Sequence, residues 1–413
     1  MTGLRTVEAQ RATVLAAVRP LPTEVLPLGA ATGRTLATAV RAAVDIPVFD
    51  NSAMDGFAVR AVDVAHASPD EPVTLRVVAD LPAGTAADPA IGAAEAARIM
   101  TGSPMPTDAD AIVPFEDTVG GLAGSLDTVT VVAAPRAGGH LRRRGEDARV
   151  GDVVLPAGVA LGAWQLSAIA AAGVAQVDVA RAPRVAVVST GSELIEPGRA
   201  LRRGQIPESN SILLASLAVA AGAVVVARES VDDDGDGLRT VLAAVTGGAE
   251  PADVVIFSGG VSAGAYEVVK NELAGTMSFS TVAMQPGKPQ GFGVTPGGTL
   301  LFGLPGNPVS AAVSFEVFVR PALLALQGRT DVDRAVLRLP AAAPWRTPPA
   351  RRQYLPVVID RTDPSRWTVR PATAGGSGSH LAGGLGAAEA LAVVPAETDA
   401  VAAGDLVDVL LLD

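Results

Sequence analysis

Between Arg184 and Gly328 the chain alternates short β-branched runs with apolar helical ones. That alternation limits its folds more than any other feature. "RVAVVST" (184–190), "AVVVARESV" (223–231) and "ADVVIFSGG" (252–260) read as strands, each followed by a helical pattern: "NSILLASLAVAAG" (210–222), "DGDGLRTVLAAVTGG" (234–248) and "AYEVVKNEL" (265–273). "FSTVAMQ" (279–285) and "TLLFGL" (299–304) add strands, and "PVSAAVSFEVFVRPALLALQG" (308–328) reads as a long helix. Such alternation predicts a doubly wound, mostly parallel α/β domain over 181–328, with its ligand beyond the carboxyl ends of the strands.

The flanking regions follow other patterns. Residues 48–140 mix strand-like runs ("VTLRVVA", "DTVTVVAA") with Pro and Gly turns, which predicts an inserted β-rich domain. Residues 1–47 and 141–180 both carry helical patterns, such as "TVEAQRATVLAAV" and "LGAWQLSAIAAAG", and are expected to form one discontinuous linker domain. The tail, 329–413, alternates "YLPVVID", "WTVRPA", "ALAVVPA" and "DLVDVLLLD" with turns and predicts a small β-barrel-like domain. The expected fold class is therefore multidomain α/β plus β.

Composition removes several chemistries. There is no cysteine, so disulfides, thiolate metal sites and a Cys nucleophile are excluded. The three histidines, His66, His140 and His380, are far apart in sequence, so any metal is expected to be a hard cation on oxygen ligands. A net charge of −11 lacks the basic footprint of a nucleic-acid binder. No signal-peptide pattern opens the chain, and the apolar window 212–227 is too short for a membrane span. A cytoplasmic protein is the expectation.

The segment "SGGVSAGAYEVVK" (258–270) ends a strand in glycines and precedes a helix. It has neither GxGxxG spacing nor a Walker A lysine-serine pair, and "QPGKPQG" (285–291) has Pro289 where a P-loop needs Ser or Thr. What remains is a strand, a glycine turn with outward backbone N–H groups, and a helix start, which suits an anion. Taken alone, a tight βα turn carries more weight. Glu267 falls in the first turn of the expected helix, with Lys270 one turn on. Beside an anion, Glu267 makes sense with Mg²⁺ in between, a cation that Asp232, Asp233 and Asp234 could share; alone, that triple Asp reads as a solvated cap. "STGSELIEPG" (189–198) and "GLPGNPVSAAVSF" (303–315) repeat the strand, turn and helix-start logic, with Glu193 past one turn and Pro308 suited to a first helical position. Three such turns in one parallel sheet should converge on one crevice. In the β-rich region Asp50, Asn51, Ser52, Asp55, Thr101 and Ser103 sit in Gly/Pro turns, which ordinary loop chemistry also explains. The cluster "LRRRGED" (141–147) reads as local ion pairing.

"FDNSAMDGFAV", "MTGSPMPTDADAIV", "RRRGED", "STGSEL", "SGGVSAG", "PGKPQGFG" and "GLPGNPVSA", in this order over nearly the whole chain, resemble the MoeA family, molybdopterin molybdenumtransferases related to the E domain of gephyrin. The tail resembles it only through "ARRQY" and "GSGSH". The resemblance implies a four-part L-shaped subunit, a homodimer whose cleft includes parts of the other subunit, and Mg²⁺-dependent insertion of molybdate into adenylylated molybdopterin with release of AMP. It assigns catalytic roles to Asp55, Thr101, Glu193, Asp233 and Lys288, with Asp233 and Glu267 on Mg²⁺ and Lys288 on molybdate; the resemblance names no general base, and Glu193 is our own choice for one. It assigns substrate contacts to Ser189, Thr190, Gly191, Ser258, Gly259, Gly260, Ser262, Gly264, Lys270, Gly306, Asn307, Pro308, Arg351 or Arg352, and Ser379. A molybdopterin adenylyltransferase and molybdoenzyme acceptors are the expected partners. The alternatives are a molybdopterin adenylyltransferase, which shares the α/β domain, and a non-catalytic scaffold. Three positions depart from the family pattern: Gln285 where many relatives have Lys, Glu267 where Asp is usual, and Glu208 where Asp is common. They bear on which oxyanion is favoured, molybdate or tungstate.

Overall fold

The computed structural model describes residues 4–122, 127–233, 235–262, 267–373, 378 and 380–412. Its central sheet contains β1 (Arg184–Thr190), β2 (Val224–Val231), β3 (Val254–Ser258), β4 (Met277–Thr281), β5 (Pro289–Val294) and β6 (Leu300–Leu304), in the order β2-β1-β3-β6-β5-β4. The pairs among β2, β1, β3 and β6 are parallel, and β5 runs antiparallel to both β6 and β4. Helices α1 (Asn210–Ala220), α2 (Asp236–Thr246), α3 (Val268–Leu273) and α4 (Pro308–Leu326) cover it.

The middle strand shows why the sequence folds this way. All five residues of β3 are buried, as a parallel strand sandwiched between helices requires. Because side chains alternate across a strand, Val254 and Ile256 enter the core shared with α1 and α4, while Val255 and Phe257 enter the one shared with α2 and α3. Helix α4 is long and apolar enough to cross a membrane, but 83% of its most apolar window is buried within the protein, so it is a core helix.

Two sequence expectations are corrected here. No helix follows directly after β1. The chain instead forms a short parallel pair, Leu194–Ile195 with Ile206–Pro207, before α1 begins. Pro197, Gly198, Gly204 and Pro207 interrupt any helix there, and both glycines adopt positive φ. Helix α3 is only six residues long and starts at Val268, with Glu267 as its cap rather than in its first turn. A helix that short supplies little dipole, so the anion argument rests on the backbone N–H groups of the turn.

The flanking regions are tied to this frame. Six strands between Gly56 and Val131 form one sheet. Thr23–Pro27 pairs with Gln176–Ala180, and Val40–Arg41 with Val153–Leu155, so the chain before the β-rich sheet meets the chain after it. The helix Val7–Ala17 lies elsewhere, packing Val7 and Val14 into the core around α4. The tail builds a sheet from Val336–Pro340, Arg352–Asp360, Thr368–Pro371, Ala390–Val394 and Leu406–Leu411. That sheet takes one more strand from the α/β region: Met284 and Gln285 pair in parallel with Arg352 and Gln353.

Candidate active site

Five turns meet at one edge of the central sheet around a cavity of about 660 Å³, one of them the turn after β2 that carries Asp233. They follow β1 (Thr190, Gly191, Glu193), β2 (Asp233), β3 (Ser258 to Ser262) and β6 (Pro305 to Asn307), and precede β5 (Gln285 to Pro289). The last belongs here because β5 is antiparallel: its beginning lies at the edge where the parallel strands end.

The turns approach so closely that side chains are excluded at key points. Gly259 has φ +94°, and a Cβ there would lie 2.7 Å from the carbonyl oxygen of Thr190. Gly260 has φ +65°, and its Cβ would meet the backbone nitrogen of Val269 at 3.0 Å. Both backbone conformation and space therefore demand glycine. The turn before β5 is pinned from below. Buried Gln290 donates to the carbonyl of Gly287 and to Ser314 Oγ, both at 2.7 Å, so Lys288 is held on a fixed loop.

Three carboxylates and one ammonium line the cavity: Glu193, Asp233, Glu267 and Lys288. Asp233 Oδ2 accepts from the backbone N–H and the hydroxyl of Ser192, at 3.3 and 3.2 Å. Glu267 Oε2 accepts from the backbone N–H of Ser262 at 2.5 Å, so this carboxylate closes the glycine loop on itself. Lys288 is exposed on the cavity wall. Among the described residues no group of three or more Asp, Glu or His side chains is close enough to bind a metal unaided.

Of the residues singled out from sequence, the cavity gathers Thr190, Gly191, Glu193, Asp233, Ser258, Gly259, Gly260, Ser262, Glu267, Lys288, Gly306 and Asn307. Ser189, Lys270 and Pro308 stand behind it. Ser189 is fully buried and donates to Glu208 at 2.8 Å. Lys270 lies in the last turn of α3, and Pro308 opens α4. Glu208 does not line the cavity; its Oε1 also accepts from the Ser211 N–H at 2.8 Å, which anchors the start of α1. Asp232 is likewise outside the lining, while Asp234, Gly264 and Ser379 lie outside the described residues.

The two tail arginines separate. Arg351 donates to Gln285 Oε1 at 2.7 Å, directly on the cavity wall. Arg352 pairs with Glu8 in a second cavity of about 320 Å³, between the N-terminal helix, α4 and the tail. Asp55 and Thr101 lie on the β-rich sheet's turns and are not in the lining. They are bonded to each other: Asp55 Oδ1 accepts from the Thr101 hydroxyl and backbone N–H, both at 2.7 Å. Those two donors hold the Asp55 carboxyl below its ordinary pKa. The arginine cluster behaves as local ion pairing, with Arg143 on Asp50 and Arg144 on Asp45.

Of the lining residues that escaped the sequence reading, Asn210 is the one that ties two walls together. Asn210 stands at the start of an apolar run, where Asn reads as a helix cap. It is instead the first residue of α1, and its Nδ2 donates to Ser258 Oγ at 2.8 Å and to the Gly306 carbonyl at 2.6 Å, joining two walls.

Three family models cover the chain: "MoeA N-terminal region (domain I and II)" matches residues 5–173, "Probable molybdopterin binding domain" residues 186–325, and "MoeA C-terminal region (domain IV)" residues 338–412. Molybdopterin molybdenumtransferase 2 of Mycobacterium tuberculosis (strain ATCC 25618 / H37Rv) is 42% identical over 409 residues, covering 97% of this chain and 98% of the relative. Molybdopterin molybdenumtransferase 1 of the same strain is 35% identical over 430 residues, covering 99% of each. A crystal structure of a molybdopterin biosynthesis MoeA protein from Pyrococcus horikoshii superposes with a TM-score of 0.80 at 29% identity, covering all of both chains.

Proposed function

Since the chain belongs to the MoeA family, we propose that it is a molybdopterin molybdenumtransferase that inserts molybdate into adenylylated molybdopterin and releases AMP. The observation that carries this reading is the convergence of five strand-edge turns on one cavity that holds Lys288 and the backbone N–H groups of a glycine loop. That arrangement suits a substrate with a phosphate linkage and a second oxyanion.

The same wall carries three carboxylates, which would repel such a substrate. A hard cation between them turns the repulsion into attraction, and Mg²⁺ is held in this way by one or two carboxylates together with substrate phosphates. The donor set fits a hard cation: Asp233 and Glu267 both line the cavity and would hold Mg²⁺ together with the substrate. When bound, Mg²⁺ neutralises charge on the phosphate oxygens. Lys288 holds the molybdate oxyanion and stabilises negative charge as the adenylyl bond is cleaved by water. Glu193 orients that water and accepts its proton. The glycine loop supplies N–H donors at fixed positions, so little reorganisation is needed during the reaction.

Asp55 and Thr101 enter this scheme through a second copy of the chain, with the protein acting as a cytoplasmic homodimer in which one subunit's turn completes the other's cavity. The protein would receive substrate from a molybdopterin adenylyltransferase and pass product to molybdoenzymes. AMP released from adenylylated molybdopterin, followed with and without molybdate and Mg²⁺, tests the function. AMP formation that needs both supports it; substrate binding with no AMP under any combination refutes it. Lys288→Ala is expected to raise the molybdate concentration needed for saturation, and unchanged saturation would remove Lys288 from that role.

A further inference from the structure

The second cavity, of about 320 Å³, lies between the N-terminal helix, α4 and the tail sheet. Much of its wall is apolar, with Val7, Val317, Pro321, Val393 and Leu410 among the lining residues. The wall also carries four arginines and four carboxylates. Three of the arginines are answered in close pairs: Arg11 by Asp333, Arg334 by Glu316 and Arg352 by Glu8. The fourth carboxylate, Asp408, faces Arg338 from outside the lining. Arg320 is the cation left over. Its Nε stands 4.0 Å from Glu316, too far for a hydrogen bond, and that carboxylate already accepts from Arg334 at 3.0 and 3.2 Å. Arg320 Nη1 reaches only the Val332 carbonyl, at 3.2 Å.

Two donor groups therefore stay open. Arg320 Nε and Nη2 make no hydrogen bond, and neither is closed off from water: the buried, unpaired side-chain atoms among the described residues belong to Gln10, Arg11, Arg184 and Asn210. Tyr354 is only 4% exposed, yet its hydroxyl is not among those closed-off atoms. The Arg352 guanidinium beside that hydroxyl can only donate to it, so the phenolic proton is unclaimed. Burial pushes the Tyr354 pKa up, which keeps that proton in place. Burial, with Arg334 second, lowers that of Arg320, as expected of a cation with too little counter-charge. Glu316, Val332 and Arg334 around Arg320, and Glu8 and Arg352 around Tyr354, all line the cavity, which places both polar heads on it. We propose that this cavity is a second ligand site, which takes a small monocarboxylate with an apolar body: Arg320 and the Tyr354 hydroxyl hold the carboxylate, and the aliphatic wall holds the body. One unanswered positive charge matches one negative charge. The second charge of a phosphate dianion would meet only the wall's own carboxylates.

Titration of the full chain with 3-phenylpropionate and with its neutral amide, followed by ligand-observed NMR, tests the site. The carboxylate is expected to bind at least about tenfold more tightly than the amide, the difference of one charge-assisted hydrogen bond. Arg320→Gln should weaken the carboxylate about tenfold and Tyr354→Phe about fivefold, with the amide changed less than about twofold in either. Tyr354→Phe removes one oxygen and keeps the ring, so it carries the test alone if Arg320→Gln does not fold. Equal binding of carboxylate and amide overturns the proposal, as does unchanged carboxylate affinity in the variants, or no binding of the carboxylate at about 10 mM. Displacement of the carboxylate by inorganic pyrophosphate overturns it as well, because the anion is then held in the catalytic cavity or by charge alone.

Discussion

Replacing Gln285 with lysine introduces a second cation beside Arg351, and the structure predicts that it destabilises this protein. Gln285 Oε1 accepts a hydrogen bond from the Arg351 guanidinium at 2.7 Å. Losing a hydrogen bond to a charged group costs about 1.5–3 kcal/mol. Placing an ammonium roughly 4 Å from the guanidinium adds at most about 4 kcal/mol at an effective dielectric near 20. Both side chains are partly exposed, and a lysine can swing away, so most of that repulsion is relieved. A net loss of about 2 kcal/mol follows, concentrated where Met284–Gln285 pairs with Arg352–Gln353. Trp345 reports on this junction, because it is buried and its Nε1 donates to Gln353 Oε1 at 3.0 Å. Urea denaturation followed by tryptophan fluorescence, on wild type, Gln285→Lys, Arg351→Ala and the double variant, completes a mutant cycle. In the Arg351→Ala background the lysine should cost less than about 0.5 kcal/mol, since its like-charged neighbour is gone. An equal cost in both backgrounds would refute the pairing argument and leave Gln285 as a simple loss of charge.

Gly259→Ala is expected to cost about 3 kcal/mol, because it adds a contact with the Thr190 carbonyl to the strain of a positive φ; Gly248→Ala, with positive φ but open space, should cost only about 1–2 kcal/mol, and equal denaturation midpoints would contradict this. Glu316 is buried and accepts from Arg334 at 3.0 and 3.2 Å with Arg320 at 4.0 Å, so Glu316→Gln leaves two arginines poorly compensated and should cost about 3 kcal/mol in thermal unfolding; a loss below about 1 kcal/mol would show that water already screens them. Asp50 and Asp55 are held below the ordinary Asp pKa, Asp50 first by the Arg144 backbone N–H and Asp55 by the Thr101 hydroxyl. Their stabilisation is complete above the unfolded-state value of about 3.9 and is lost as pH falls through the lower folded values. Melting of wild type and Asp50→Asn from pH 6 to pH 2.5 should therefore show a steeper acid loss in wild type, and parallel curves would exclude that contribution.

Strand and helix identity in the α/β region was readable because fully buried strands are continuous apolar runs: "VVIF" occupies both faces of β3, and no loop segment looks like it. The site was readable as glycine turns at strand ends, but its membership was not. "PGKPQG" precedes a strand, and only the antiparallel direction of β5, set by its pairing with the neighbouring strands β4 and β6, brings Lys288 to the cavity edge. Asn210 was hidden because an Asn before an apolar run reads as a cap, whereas it is the first helical residue and its contacts with Ser258 and Gly306 are long-range. Arg351 and Arg352 are adjacent in sequence, but Arg351 lies just before the tail strand and reaches Gln285 while Arg352 is its first residue and reaches Glu8, a distinction that needs the fold.

The pairing of Met284–Gln285 with Arg352–Gln353 also orders events in time. Synthesis runs from the N-terminus at ~5–20 residues per second, and domains generally fold as they emerge. The turn bearing Lys288 leaves the ribosome before its strand partner has been translated, so for several seconds the nascent α/β region carries that turn with its outer edge open. Substrate-binding competence should therefore arise late in translation, after Arg352 and Gln353 have emerged to pair with Met284 and Gln285.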